Sequence, residues 1–167
     1  MKILGLGGWS GAGKTTLLAK LIPELTRRGV AVSTMKHAHH GFDVDQPGKD
    51  SYVHRQAGAT EVLIASEKRW ALMHELRDAK EPSAAELAWH MTPVDLLLVE
   101  GFKREPHDKL EIYRAENNKP LLSTGDLSYV AILSDGPVAG TGLPVLDLNN
   151  VSAIADFIIV HCALRMR

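Results

Sequence analysis

Apolar and polar residues follow two different spacings in the first part of the chain. Residues 3–6 form a short apolar run before a glycine-rich turn, which predicts a buried strand. Over residues 14–28, leucine and isoleucine recur at the three- and four-residue spacing of one face of an α-helix. Gly29 ends this helix, and residues 30–35 predict a second strand. The order strand, helix, strand predicts a parallel sheet with a right-handed crossover.

The remaining elements are predicted in the same way. Helices are expected at residues 50–57, after a capping box of Ser83 and Glu86, and from Asn149 or Asn150 to about residue 163. Strands are expected at residues 61–65, 69–74, 94–99, 110–113, 129–133 and 145–148, with the very apolar 94–99 in the centre of the sheet. The fold class is therefore α/β: one domain over residues 1–167 with a mostly parallel central sheet, flanking helices and some antiparallel strands at 61–74.

Composition and charge exclude several classes of protein. Nineteen Lys and Arg against twenty Asp and Glu give the 167 residues a net charge of −1, so no overall basic field attracts nucleic acid or an anionic membrane. No apolar run approaches the roughly 20 residues that span a bilayer. The one cysteine, Cys162, fits a reducing compartment. We therefore expect a cytoplasmic protein that binds neither nucleic acid nor a membrane.

The residues between the first strand and the first helix carry the sharpest chemical signal. Positions 8–15 match the phosphate-binding pattern G-x-x-x-x-G-K-[ST] in full, and a second threonine follows. Backbone N–H groups of such a loop and the positive end of the helix face a phosphate group. The predicted nucleotide-binding residues are Gly8, Trp9, Ser10, Gly11, Ala12, Gly13, Lys14, Thr15 and Thr16. The pattern predicts a P-loop NTPase fold.

Two of these residues and one carboxylate are expected to do the chemistry. Lys14 is expected to reach the β- and γ-phosphates, and the Thr15 hydroxyl to bind a Mg²⁺ ion that bridges phosphate oxygens. A P-loop site also needs an acidic residue at the end of a buried strand. Glu100 follows four apolar residues and precedes a glycine, so it is a catalytic and metal-binding candidate at the ligand edge of the sheet. A merely solvated carboxylate is the alternative.

Residues 36–45, after the second strand, are dense in polar side chains. Lys36 is a candidate phosphate contact, and Asp43 or Asp45 is a candidate magnesium ligand, directly or through water. The sequence leaves open which aspartate it is. Three histidines of this stretch have no cysteine or spaced fourth ligand nearby, so ordinary solvated histidines are favoured over a zinc site. They are His37, His39 and His40.

The residues leave the base of the nucleotide open. The Asn-Lys-x-Asp pattern that reads guanine is absent, and residues 117–120 are a poor substitute. Asp135 follows the strand at 129–133, where a base-reading loop would fall, and its carboxylate can accept hydrogen bonds from guanine N1 and N2. A plain turn is an equal alternative. Trp70 and Trp89 are expected in the core because their surroundings are apolar.

Taken together, these motifs resemble the MobB-type molybdopterin-guanine dinucleotide biosynthesis adaptor proteins. The resemblance rests on the phosphate loop at residues 8–16, Met-Lys-His-Ala-His-His at 35–40, the Asp-rich stretch at 43–51, Arg-Trp-Ala-Leu-Met at 69–73 and Leu-Val-Glu-Gly-Phe-Lys at 98–103. It is weak from about residue 104 to residue 142, so no base-reading residue is carried over.

The resemblance implies GTP and Mg²⁺ as ligands, weak GTP hydrolysis and a homodimer. It also implies partnership with the guanylyltransferase that joins GMP to molybdopterin, with molybdopterin itself as a further candidate ligand. Asp45 and Glu100 are given magnesium or nucleotide-site roles. Turnover is expected to be slow without a partner, because no arginine finger is assigned within the chain.

Two other functions stay open. A P-loop small-molecule kinase or ATP-dependent ligase uses the same loop, with Lys36, His37 and Asp45 around an acceptor. A nucleotide-gated binding module would instead use the bound nucleotide to order residues 36–45 and so control a partner surface. A strong preference for ATP over GTP favours the kinase or ligase.

Overall fold

The structure, a computed structural model, describes residues 1–38 and 41–165. The chain divides into a sheet unit, Met1–His37 with Ser83–Arg167, and a hairpin unit, Ala38–Pro82. The elements are β1 (Lys2–Gly7), α1 (Lys14–Arg27), β2 (Val32–Lys36), α2 (Asp50–Gln56), β3 (Glu61–Ala65), β4 (Trp70–His74), α3 (Ala84–Ala88), β5 (Leu96–Glu100), β6 (Lys109–Tyr113), β7 (Tyr129–Ser134), β8 (Val145–Asp147) and α4 (Val151–His161). The expectation of one domain over residues 1–167 stays a prediction.

The sheet unit is built on six parallel strands in the order β2-β5-β1-β6-β7-β8. Strand β1 lies between β5 and β6, with Leu4 beside Leu98 and Leu6 beside Leu110. Residues 96–99 of β5 are fully buried, which is typical of a strand covered on both faces. The predicted parallel sheet is confirmed, and its most apolar run is an interior strand.

Helices pack on both faces of this sheet. On one face, Leu21 of α1 and Ile158 of α4 are fully buried in a cluster that includes Leu98. Burial of each such side chain contributes about 1.5–3 kcal/mol. The neighbouring strand residue, Leu97, points to the other face and packs in a cluster with Ala88 of α3. The predicted α/β class with flanking helices is confirmed.

The hairpin unit contains the antiparallel strands. β3 and β4 form a separate two-stranded sheet in which Val62 lies beside Met73. The turn between them is closed by the backbone N–H of Ser66, which donates to the carbonyl oxygen of Arg69 at 2.8 Å. The antiparallel expectation for residues 61–74 is therefore confirmed.

The expectation that Trp70 and Trp89 lie in the core is wrong. Trp70 is 65% exposed, on the face of the hairpin that also carries Leu63 and Leu72. Trp89 is 88% exposed and directly follows Ala88, the last residue of α3. Apolar neighbours in the sequence therefore did not indicate burial at either position.

The ends of the helices follow local chemistry. Ser83 and Glu86 form the predicted capping box at the start of α3. Asn150, rather than Asn149, caps α4, where its side-chain oxygen accepts from the N–H of Ala153 at 3.1 Å. Among the described residues, no helix has the length and apolar content that a membrane span requires.

Candidate functional site

The carboxyl ends of the parallel strands place several predicted residues along one edge of the sheet unit. Gly7 ends β1, Lys36 ends β2 and Glu100 ends β5, while Asp135 follows β7 directly. Lys36 and Glu100 are register neighbours in adjacent strands. Ligands of open α/β sheets bind at this edge.

The loop between β1 and α1 depends on two of its glycines. Gly13 has φ of 97° and leads directly into α1, a left-handed conformation that glycine adopts without strain. A Cβ at Gly8 would lie 2.8 Å from the carbonyl oxygen of Ile112, so no side chain fits there. As described, α1 begins with no side-chain cap and no acidic residue in its first turn. Its free N–H groups and positive dipole end are therefore available to an anion.

Lys14 lies along the strand end of this loop. Its Nζ donates hydrogen bonds to the carbonyl oxygens of Gly8 at 2.9 Å and Trp9 at 3.1 Å. Burial lowers the pKa of Lys14, the carboxylate of Glu100 opposes this shift, and two nearby lysines add to it. A phosphate group at the loop would favour the charged ammonium, since opposite charge raises the pKa of a lysine.

Glu100 shares its end of the sheet with positive charges. Lys36 and Lys103 are the two lysines that lower the pKa of Lys14, so all three ammonium groups and the carboxylate act on one region. The excess of positive charge suits a polyphosphate anion. Gly101, with φ of 94°, makes the tight turn after Glu100, and a Cβ there would lie 2.6 Å from the Cβ of His37.

Trp9 forms a rim beside the loop. Its indole Nε1 donates to the carbonyl oxygen of Pro120 at 2.8 Å. The Nζ atoms of Lys103 and Lys119 each lie 5.8 Å from the centroid of its ring, within the range of a cation–π interaction. The rim therefore places Lys103 next to the loop and adds one further cation, Lys119.

Arg114 contacts the helix end of the same loop. Its Nε donates to the carbonyl oxygen of Ala12 at 3.2 Å, and its Nη1 donates to Oδ2 of Asp135 at 2.6 Å. Nε and Nη2 both lie 3.6 Å from the position that a Cβ of Gly13 would take. Asp135 is thus close to the loop through an arginine that the sequence analysis did not select.

The hydroxyl residues of the loop face solvent. Ser10, Thr15 and Thr16 are exposed, and the last two lie in the first turn of α1. Thr16 borders a narrow cleft together with Gly13 and Arg114. A ligand can therefore reach the first turn of the helix.

Asp45 belongs to the hairpin unit and is paired there. Arg55 donates from Nη2 to Oδ1 of Asp45 at 2.8 Å and to Oδ1 of Asp43 at 2.7 Å, and from Nη1 to Glu75 at 3.3 Å. The pKa of Arg55 is raised, mainly by its hydrogen bond to Asp45. The side chain of Asp45 is 1% exposed and that of Asp43 is 55% exposed. The magnesium role of Asp45 stays a prediction.

The histidine stretch is only partly described. His37 follows β2, and its ring centroid lies 4.8 Å from that of Phe102. His39 and His40 lie outside the described residues. Among the residues that are described, no group of three or more His, Cys, Asp or Glu side chains is arranged to hold a metal ion.

The sequence did not indicate Arg114 and Pro120, which contact the loop from distant positions in the chain. Arg114 and Ala12 are 102 positions apart, and Trp9 and Pro120 are 111 positions apart. One signal was available for Arg114, because it directly follows β6, the neighbour of β1 in the sheet. The carboxyl end of that strand is at the ligand edge.

Comparison with known proteins gives a consistent family match. The family model described as molybdopterin guanine dinucleotide synthesis protein B matches residues 3–135. A molybdopterin-guanine dinucleotide biosynthesis adapter protein of Escherichia coli (strain K12) is 44% identical over 160 residues, which cover 94% of this chain and 91% of that protein. An adapter protein of the same description from Haemophilus influenzae is 42% identical over 93% of this chain and 86% of its own length.

Solved structures agree with the fold. The crystal structure of Bacillus subtilis MobB superposes with a TM-score of 0.75 at 23% identity and covers 99% of both chains. A crystal structure of molybdopterin-guanine biosynthesis protein B superposes with a TM-score of 0.71 at 25% identity, covering 95% of this chain and 99% of the other.

Proposed function

Since the chain belongs to the MobB family of molybdopterin-guanine dinucleotide synthesis proteins, we propose that it is an adapter protein of molybdopterin-guanine dinucleotide biosynthesis that binds GTP with Mg²⁺. The observation that carries the nucleotide proposal is the loop before α1. There Gly13 has φ of 97° and α1 begins without a side-chain cap. Nζ of Lys14 donates a hydrogen bond to the carbonyl oxygen of Gly8 at 2.9 Å. Such a loop wraps the phosphate groups with backbone N–H groups.

The residues available for Mg²⁺ fit a hard cation. Thr15 offers an exposed hydroxyl in the first turn of α1, and Glu100 offers a carboxylate at the end of β5. Oxygen ligands of this kind suit Mg²⁺, which neutralises phosphate charge when it is bound. Asp45, in the hairpin unit, is a candidate magnesium or nucleotide-site residue through the family resemblance alone, and it is bound to Arg55 there.

A weak GTPase activity follows from the same residues. Lys14 stabilises charge on the phosphate that is transferred, and Glu100 orients the attacking water. Lys36 adds a phosphate contact from the end of β2. We expect slow turnover until a partner supplies an arginine to the transferring phosphate in addition to Lys14.

The partner in this proposal is the guanylyltransferase that joins GMP to molybdopterin. The support is family membership, since the relatives are adapter proteins of molybdopterin-guanine dinucleotide biosynthesis. Molybdopterin is a further candidate ligand at the positively charged rim of Trp9, Lys103 and Lys119. A cytoplasmic location fits both partners.

A homodimer is part of the same proposal. One face of the hairpin carries Leu63, Trp70 and Leu72, which are 59%, 65% and 44% exposed. A contiguous apolar face of this kind favours association. Sedimentation at increasing concentration tests the dimer: Trp70→Lys is expected to shift the protein to monomer, and an unchanged dimer would contradict this surface.

Nucleotide titration calorimetry tests the central proposal. Wild-type protein with Mg²⁺ is expected to bind GTP, and Lys14→Ala is expected to lose at least about tenfold in affinity because a charged phosphate contact is removed. Lys2→Ala is the matched control, since Lys2 is an exposed lysine at the other end of β1. Failure of the wild type to bind any nucleoside triphosphate would overturn the proposal.

The same titration separates the alternative functions. Preference for GTP over ATP supports the adapter proposal, whereas strong preference for ATP favours a P-loop small-molecule kinase or ATP-dependent ligase. A nucleotide-gated module predicts that Lys14→Ala loses partner binding along with nucleotide binding. Partner binding that is intact in Lys14→Ala excludes that gating.

A further inference from the structure

The phosphate loop has a cation at each end. Lys14 contacts the strand end, through the carbonyl oxygens of Gly8 and Trp9. Arg114 contacts the helix end, through the carbonyl oxygen of Ala12. Neither the phosphate-loop pattern nor the other matched motifs include an arginine at this place.

The guanidinium of Arg114 keeps unused donors beside the loop. Nε is committed to Ala12 and Nη1 to Asp135. Nη2 makes no hydrogen bond to any described residue, and it lies 3.6 Å from the position that a Cβ of Gly13 would take. The Arg114 side chain is 28% exposed and borders the cleft at Thr16, so an anion in the loop can reach it.

Carboxylate contacts fix the direction of this arginine. The hydrogen bond from Nη1 to Asp135 is 2.6 Å long, and Glu116 lies 4.0 Å from the same nitrogen. Charge-assisted bonds of this length orient a planar guanidinium strongly. Asp135 therefore already uses one carboxylate oxygen within the chain.

We propose that Arg114 is a second cationic ligand of the nucleotide phosphates, at the helix end of the loop, and that Asp135 positions its guanidinium instead of reading the base. The proposal rests on the proposed nucleotide binding. A guanidinium fork presents several N–H donors to phosphate oxygens in a fixed geometry. With Nε held by Ala12 and Nη1 by Asp135, the donors of Nη2 are directed to the ligand.

A ligand without a base distinguishes a phosphate contact from a base contact. Calorimetric titrations of wild type and variants use GTP, ATP and inorganic tripolyphosphate, each with Mg²⁺. Arg114→Ala is expected to lower the affinity for all three ligands by the same factor, about tenfold, since a charged hydrogen bond to phosphate is lost. Arg27→Ala is the control, because Arg27 is 70% exposed and pairs with Glu24 at the far end of α1.

Thermal unfolding of each variant is measured first. Should Arg114→Ala fail to fold, Arg114→Gln replaces it, because glutamine keeps a polar side chain and removes only the charge and the fork. The same equal loss for the three ligands is expected. Wild-type affinity in a folded Arg114 variant overturns the proposal, and a loss for GTP alone overturns it in favour of base recognition.

Asp135 is tested as a positioning residue. Asp135→Asn is expected to weaken binding of the three ligands equally, by about threefold, and to have no further effect when Arg114 is already alanine. Selective loss of GTP in Asp135→Asn would identify a base reader and contradict the positioning role. A wild-type protein that binds none of the three ligands refutes the proposed nucleotide binding itself. Equal affinity of the wild type and the Arg114 variants refutes only the role of Arg114.

Discussion

Buried charged residues of β6 support the surroundings of the phosphate loop. Glu111 is 0% exposed, and its carboxylate accepts hydrogen bonds from the N–H groups of Leu122 at 2.7 Å and Ser123 at 2.9 Å. Buried charges persist in proteins when they are hydrogen-bonded in this way. The segment that Glu111 holds continues from Pro120, whose carbonyl oxygen accepts from Trp9. Glu111 thereby supports the segment that holds Trp9 at the rim.

Replacing Glu111 tests this support. Glu111→Ala is expected to lower the free energy of unfolding by about 3 kcal/mol, because two N–H groups lose their acceptor and a buried space is left. Urea denaturation gives the value. Glu116→Ala is the control, since that side chain is 74% exposed, and its change should stay within about 0.5 kcal/mol. Equal stability of the two variants would contradict the supporting role of Glu111.

His107 makes stability depend on pH. Its Nε2 is buried and has no hydrogen-bond partner among the described residues. Burial lowers the pKa of His107 and Lys109 adds to this, while nearby carboxylates oppose it. The folded state therefore prefers the neutral ring, and the unfolded state binds more protons below the ordinary pKa of about 6.5. Stability is full above that pH and falls as the pH is lowered.

His107→Gln is expected to flatten this pH dependence. The melting temperature of the wild type should fall between pH 7 and pH 5.5 by more than that of the variant, because glutamine does not titrate. His54→Gln serves as the control, since His54 is exposed and should leave the wild-type slope unchanged. Parallel pH profiles for wild type and His107→Gln would exclude His107 as the source.

The sequence indicated the role of a residue when that role depends on neighbours along the chain, and not when it depends on distant residues. Lys14 was found from a local pattern whose mechanics require it next to the helix start. Arg114 and Glu111 were not selected, because their roles depend on residues that the fold brings together from distant parts of the chain. Asp135 was selected by its place after a strand, but its contact with Arg114 is visible only in three dimensions.

At the level of elements, hydrophobic spacing located the four α-helices and the eight strands of the described residues, but not the short 3-10 helix at Ala115–Asn117. Boundaries moved by one to three residues, as at β5, which begins at Leu96 instead of residue 94. The faces of the hairpin were harder to assign, because β3 is apolar on both faces and alternation therefore does not identify the covered one. Trp70 was misplaced for this reason.

The cap of α4 gives an element-scale prediction. Asn150→Ala is expected to lower the free energy of unfolding by about 1 kcal/mol, because the N–H of Ala153 loses its acceptor. Asn149→Ala is the matched control one residue earlier, where the side chain does not cap the helix. Chemical denaturation of both variants measures the difference. A larger loss in Asn149→Ala would contradict the assigned cap.

At the level of the whole molecule, the chain forms two units with separate sources of stability. The sheet unit has a large apolar core, whereas the hairpin unit relies on a small sheet and on the carboxylates around Arg55. Units of this kind open with different free energies. The sequence indicated both sheets, but it did not indicate the division between them, because no linker composition marks it.

Arg55 provides the test of this separation. Arg55→Gln removes the charge that three carboxylates share and leaves Asp45 buried without its cation. Amide hydrogen exchange is expected to become faster in β3 and β4 and to stay unchanged in β1 and β5. Arg69→Gln, in the turn of the hairpin, controls for loss of a surface arginine. Equally faster exchange in both sheets would show that the units open together.

The order of the strands also bears on synthesis of the protein at the ribosome. β1 emerges before both of its neighbours in the sheet, β5 and β6, which lie far later in the chain. A nascent polypeptide that has reached only β2 therefore exposes the open edges of its first strand, which are the kind of surface that chaperones cover. The contacts of residues 8–13 with Ile112 and Arg114 can form only after β6 has left the exit tunnel, so the loop is completed much later in translation than its own residues are made.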